Sequence, residues 1–74
     1  FGIELVREAP VRLALYDVRG RRVMTLFEGL LPAGRSDITW DTLDARGQRL
    51  GSGVYFARFE TQGAKDAQRV VLVR

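Results

Sequence analysis

The side chains that most often carry catalysis or bind metals are missing from this sequence. It contains no cysteine and no histidine, which removes thiolate chemistry, the commonest metal ligand and the usual acid–base group near neutral pH. Nine carboxylates remain, and two of them, Asp41 and Asp44, lie near Gly47 in a polar segment that could offer oxygens to calcium. Because calcium takes about 6–8 oxygen ligands, two carboxylates favour turn capping instead. We therefore expect no metal site and no cofactor.

Ser52 lies between Gly51 and Gly53, an arrangement that superficially resembles a nucleophile elbow. The pattern lacks the second residue of that motif, the chain has no histidine, and no helix is predicted to follow. We interpret the two glycines as points where the backbone bends. A carboxylate pair in an enzyme is the alternative, but a chain of 74 residues leaves little room for a pocket of a few hundred Å³. The sequence therefore predicts a protein that is not an enzyme.

The length of 74 residues predicts a single domain over residues 1–74. A domain this small buries only about 60% of the surface of its unfolded chain, so its stability is marginal without help. Disulfides are excluded and metals are not expected, which leaves contact with other protein as the source of that help. The chain begins with Phe1 and not with Met, and we expect it to be a processed product or a fragment.

The net charge of +3 is mild, with 12 basic and 9 acidic residues spread along the chain. The densest basic cluster is Arg19, Arg21 and Arg22 around Gly20. One short cluster is more typical of a solvated turn than of a nucleic-acid surface, so no nucleic-acid partner is predicted. No apolar run approaches the roughly 18 residues of a membrane span.

Alternating apolar and polar residues predict strands along the whole chain and no helix. The alternation is clearest over residues 11–17, where Val11, Leu13 and Leu15 share one face. The other predicted strands cover residues 2–7, 22–28 (with a bulge), 35–41, 48–50, 54–61 and 67–74. Seven short strands separated by frequent turns predict an all-β antiparallel sandwich.

Large apolar side chains on these strands form the predicted core. Trp40, the largest, faces inward beside Ile38 and is expected to anchor it. Leu13, Leu15 and Phe56 are the other expected anchors. The side chains expected to be largely buried are Leu13, Leu15, Val23, Leu26, Ile38, Trp40, Val54 and Phe56.

Several sequence blocks occur in an order that two related families share. They are the segment 11–23, Pro32-Ala33-Gly34, Trp40-Asp41, Ser52-Gly53-Val54-Tyr55-Phe56 and Arg69-Val70-Val71-Leu72. In this order they resemble the C-terminal sorting domains of type IX secretion cargo and the Ig-like domain of the flagellar hook-capping protein. The resemblance covers residues 11–74, whereas residues 1–10 lack the Asn-Pro-rich approach that often precedes sorting domains. It implies a small Ig-like β-sandwich that is extracellular or at the cell surface and attaches to other proteins.

The two terminal strands, 2–7 and 67–74, are the predicted docking strands, and the last of them is apolar on both faces. If the last strand is left uncovered, its apolar side chains form an exposed stripe, which usually marks an interaction site. An exposed strand edge can also recruit a strand of a partner. The predicted docking residues are Arg69, Val70, Val71, Leu72, Val73 and Arg74. The alternative, slightly favoured by the sequence, is that this strand lies in the middle of its own sheet.

Three kinds of protein partner fit a docking strand: secretion machinery, another domain of a parent chain, or identical copies. The first two make the chain a sorting or surface-attachment module. The third makes it a self-assembling subunit of an extracellular filament, which is a homopolymer.

Overall fold

The computed structural model describes residues 1–73, and this part of the chain forms six β-strands without a helix. The strands are β1 (Gly2–Leu5), β2 (Ala9–Tyr16), β3 (Arg22–Leu31), β4 (Gly34–Asp37), β5 (Gly53–Thr61) and β6 (Ala64–Leu72). The predicted all-β class is confirmed, with six strands in place of about seven. The predicted strand 48–50 is replaced by one isolated bridge between Leu43 and Arg49. No helix over residues 1–73 has the length and apolar character needed to cross a membrane.

The strands form two antiparallel sheets. The larger sheet has the order β3-β2-β5-β6, so that β3 and β6 are its outer strands, and the smaller sheet pairs β1 with β4. In β2 the predicted alternation is confirmed, because Val11, Leu13 and Leu15 are all buried on the face turned toward the core. Leu15 pairs with the buried Ala57 of β5 at the centre of the sheet.

The core lies between the two sheets. Ile3 from β1 and Leu31 from β3 join the buried residues of β2 and β5. Half-buried side chains pack around this centre: Phe1, Leu5, Val23, Leu26, Phe27, Ile38, Trp40, Leu50, Tyr55, Phe59 and Val70. Leu13 and Leu15 are therefore buried as expected, whereas Trp40 packs against the core from its side.

Trp40 fixes the irregular segment between β4 and β5. Its indole Nε1–H donates a hydrogen bond to the Leu43 carbonyl at 3.0 Å. Its ring meets that of Tyr55 edge-on at 6.4 Å, and the Tyr55 hydroxyl donates to the Gly51 carbonyl at 2.8 Å. The aromatic pair thus holds both ends of this segment against the core.

The expectation that Val54 and Phe56 lie in the core is corrected by the structure. Ala57 faces the core, and successive residues of a strand point to opposite faces. Phe56 is therefore on the outer face of the larger sheet, half-buried and directly opposite Tyr16. Residues 54–57 are apolar on both faces of the strand, so the alternation of apolar and polar residues could not identify the side chains that face the core.

The irregularity predicted in the third strand is a pair of bulges in β3. Leu13 pairs with Phe27 and Ala14 with Thr25, so that Leu26 has no partner in β2. A second register shift leaves Val23 without a partner in the same way. Because both extra residues are apolar and pack against the core, the bulges turn side chains of this outer strand inward.

The last strand begins earlier than predicted. Thr61 pairs with Ala64 across the two-residue turn Gln62-Gly63, where Gly63 has a φ of 72°. Such a positive φ suits glycine and matches the tight turns that join antiparallel strands. The predicted loop 62–66 is therefore a turn followed by the first residues of β6.

Candidate functional site: a free sheet edge

β6 is an outer strand of the larger sheet. It pairs with β5 from Ala64 to Leu72 without a register shift, and no other strand in the described part of the chain pairs with its opposite side. The alternative that the last strand lies in the middle of its sheet is therefore wrong. A regular strand with one unpaired side presents a row of backbone donors and acceptors.

The apolar side chains of β6 alternate between the two faces, as the sequence predicted. Val70 and Leu72 are half-buried on the inner face, where Val70 packs against the core. Val71 is on the outer face opposite Val54 and is 59% exposed. Val73, just beyond the strand, is 82% exposed.

Of the two arginines predicted to flank this edge, only Arg69 lies within the described residues. Arg69 is exposed and lies opposite Phe56 on the outer face. Arg74 lies outside the described residues. We refer to residues 69–73 as the docking edge.

The outer face beside the docking edge carries aromatic side chains. The Arg58 guanidinium lies 4.7 Å from the centre of the Tyr16 ring, a cation–π arrangement. Ala14 lies on this same face and is only 2% exposed, although no second sheet formed by residues 1–73 covers it. Together with Phe56, these residues give the outer face a partly apolar surface that continues to Val71.

The other predicted docking strand, at the N-terminus, is shorter than expected. β1 ends at Leu5, and the ladder with β4 is extended by two bonds between Phe1 and Ile38: the Phe1 nitrogen donates to the Ile38 carbonyl at 2.6 Å, and the Ile38 N–H donates to the Phe1 carbonyl at 2.8 Å. An open cavity of about 200 Å³ separates β1 from β6. Both terminal strands therefore line the same side of the molecule.

The carboxylates that could have suggested a metal site are engaged in turns. Asp17 and Asp44 each accept hydrogen bonds at Oδ1 from the backbone N–H groups two and four residues further on, at 2.9 and 3.0 Å for Asp17 and at 2.9 Å twice for Asp44. Gly20 and Gly47, three residues after each aspartate, have φ values of 82° and 81°. The two turns share the pattern Asp-x-Arg-Gly-x, a repeat that the sequence displays and that sequence analysis overlooked.

The electrostatics of these turns follow from the same bonds. The Arg21 backbone N–H, followed by the Arg19 N–H and the Arg21 charge, holds the pKa of Asp17 below its ordinary value. Asp41 accepts a bond from the Leu43 N–H at 3.1 Å. Within residues 1–73, no three acidic, histidine or cysteine side chains cluster as metal ligands would. The arrangement thus offers a strand edge for binding, whereas Asp17, Asp41 and Asp44 serve in turn formation.

Comparison with known families matches residues 1–67 to the FlgD Ig-like domain. The matched range covers β1 to β5 and the first half of β6, and it ends before Arg69. Of the two resemblances seen in the sequence, the flagellar hook-capping one is thereby supported. Searches of curated proteins and of solved structures return no significant match.

Proposed function

We propose that this chain, which belongs to the FlgD Ig-like domain family, is a non-enzymatic structural module that joins a larger protein assembly through its docking edge. The observation that carries the proposal is the second half of β6, which is regular, apolar on both faces and, among the strands of residues 1–73, unpaired on one side. An edge of this kind binds partners by accepting another strand, which supplies backbone hydrogen bonds and pockets for alternate side chains.

The residues of the docking edge distinguish it from an ordinary outer strand. Natural proteins blunt exposed edges with charges, prolines or bulges. β6 has such protection in its first half, at Lys65 and Asp66, but no charge separates Arg69 from Val73. Burying Val71 and Val73 would contribute on the order of 1 kcal/mol each, which favours a covered edge.

We extend the proposal to the location and the partner. Family membership and the sequence resemblance to exported domains support a place outside the cytoplasm, in a surface or appendage assembly. In the sorting variant of this proposal, the partner is the secretion machinery. In the structural variant, the edge is used after export.

The alternative of a filament subunit has a specific requirement. Open-ended polymers need two different complementary surfaces on each copy. β6 supplies one regular edge, whereas the edge formed by β3 is interrupted by two bulges. The edges of the larger sheet therefore favour attachment at one site over growth in two directions.

The proposal is tested with the double variant Val71→Lys and Val73→Lys, made in the protein as its native host produces it. Both side chains are exposed, so the fold should persist, and charges on the edge should block strand addition. The readout is the fraction of the protein found in its assembly, compared with a control that carries Leu30→Lys. Leu30 is 64% exposed and lies on β3, the outer strand on the opposite side of the same sheet.

Three outcomes separate the variants of the proposal. Protein that is exported but unassembled supports the structural variant, and protein retained inside the cell supports the sorting variant. Normal export and normal assembly of the folded edge variant would overturn both.

A further inference from the structure

We infer that the partner of the docking edge is a second copy of this chain, paired antiparallel through β6 about a two-fold axis at Val71. The inference rests on the proposed docking function of β6 and adds to it the identity of the partner and the register. The two larger sheets would become one continuous sheet with both docking edges at its centre.

The three central side chains of the docking edge, Val70, Val71 and Leu72, are self-complementary about this axis. Val71 would face Val71 of the second copy on the outer face, where each is now 59% exposed. On the inner face, Val70 would face Leu72 of the second copy, and this pair would extend the layer that already packs against the core. Directly opposed apolar side chains are the stabilising unit of antiparallel pairing.

The charged and polar side chains of β6 disfavour the registers that overlap more of the strand. An axis at Arg69 places two arginines opposite each other, and an axis at Ala67 places Lys65 opposite Arg69. Like charges in opposed positions destabilise a strand pair. An axis at Gln68 sets Lys65 and Asp66 against valines, and an axis at Val70 sets Arg69 against Val71 and Gln68 against Leu72. The axis at Val71 leaves Lys65 and Asp66 outside the paired segment and sets only Arg69 against a valine, Val73.

The same geometry limits the assembly to two copies. A two-fold contact uses one surface on each copy and is satisfied once both edges are paired. The opposite edge of the sheet, β3, is bulged at Val23 and Leu26 and offers no equivalent regular edge. The paired segment is short, so we expect a dimer that dissociates on dilution.

Single cysteines test the contact directly, because the chain contains none of its own. In the Val71→Cys variant the two cysteines would be opposed, and opposed residues of antiparallel strands have Cα atoms about 4.5–5.5 Å apart, within the range for a disulfide. Leu30→Cys is the matched control, since Leu30 is 64% exposed on the other edge of the same sheet. Under mild oxidation we expect Val71→Cys to form covalent dimer roughly tenfold faster than Leu30→Cys, owing to the higher effective concentration.

Sedimentation velocity over a concentration series provides the second measurement. The chain has a mass of 8.3 kDa, and we expect the apparent mass to rise toward twice that value with concentration. Val71→Arg should abolish the rise because it opposes two like charges, and Leu30→Arg should leave it unchanged. Circular dichroism of both variants checks that the fold is retained.

Two results would overturn the inference. The first is a chain that remains monomeric at every concentration and whose Val71→Cys variant cross-links no faster than Leu30→Cys. The second is faster cross-linking by Gln68→Cys than by Val71→Cys, which would place the axis elsewhere. If the isolated chain is monomeric but lysines at Val71 and Val73 still block assembly in the host, another protein occupies the edge and the proposed function stands.

Discussion

The two outer strands of the larger sheet differ in their regularity and in the exposure of their apolar side chains. β3 has two register shifts and ends at Leu31, which is buried at 7% exposure. β6 is regular throughout its pairing with β5 and is exposed along most of its length. Both strands occupy equivalent places in the sheet order, so their position does not explain the difference.

The difference arises from where the apolar side chains of each strand lie. The bulges of β3 bring Val23 and Leu26 against the core, and a bulge also bends and twists the strand so that a flat partner cannot align with it. β6 keeps Val71 on its outer face and carries no bulge. Regularity and uncovered apolar side chains together are therefore what make β6 the proposed docking site.

The largest effect should come from removing core contacts at the β3 edge. Leu31→Ala is expected to lower the free energy of unfolding by about 2–5 kcal/mol, because a buried leucine leaves a cavity. Val71→Ala, at the opposite edge, should change it by no more than about 0.5 kcal/mol, as exposed substitutions usually do. Urea unfolding of the two variants at low protein concentration measures the contrast, and similar losses would contradict it.

Hydrogen exchange should separate the edges without any substitution. On raising the protein concentration, the backbone amides of residues 69–73 are expected to exchange more slowly, because pairing protects one side of β6. Amides of residues 22–31 should not change. Mass spectrometry of proteolytic fragments resolves the two segments, and equal protection of both would argue against a selective edge.

Asp44→Ala should lower stability without changing association, since its turn lies against β3, where the Ala45 N–H donates to the Val23 carbonyl at 3.4 Å, and not against the docking edge. The loss of two backbone hydrogen bonds is expected to cost about 1 kcal/mol. Asp44→Asn retains the Oδ1 acceptor and should lose less. Thermal unfolding gives the stability, and an altered dimer signal in sedimentation would show that the turn and the docking edge are coupled.

The smallest effect concerns pH at Asp17, in the turn that leads into β3. Because its folded-state pKa is lowered, its contribution to stability is present above the ordinary carboxyl pKa of about 3.9 and is lost as pH falls through the lowered value. Asp17→Asn should remove this part of the acid sensitivity. Melting temperatures measured from about pH 5 to about pH 2 test it, and identical profiles for both proteins would contradict it.

Where apolar and polar residues alternate strictly, the buried face of a strand could be predicted from the sequence. In β2, Val11, Leu13 and Leu15 alternate with less apolar residues, and the structure buries all three. In β5 both parities are apolar, so local pattern could not decide between Phe56 and Ala57. The choice depends on which face the smaller sheet covers, which is a tertiary property.

The docking edge was predictable in its side chains but not in its position. The apolar residues 70–73 predicted that both faces of the strand are apolar. The order of the strands in the sheet depends on long-range pairing, which no local sequence pattern contains. The missing strand near residue 49 has a local cause. The Asp44 turn and the Trp40 indole bond organise that segment, and they leave Arg49 with a single bridge.

The two-residue turn at Gln62-Gly63 has a consequence for the order in which the molecule folds. Hairpins with tight turns form in about 1–10 μs, whereas pairing of distant segments such as Leu15 with Ala57 must first close a long loop. The β5–β6 hairpin that carries the docking edge is therefore expected to pair before the core is complete. Lys65 and Asp66, beside the turn, would then act as gatekeepers that keep unfinished hairpins from associating too early.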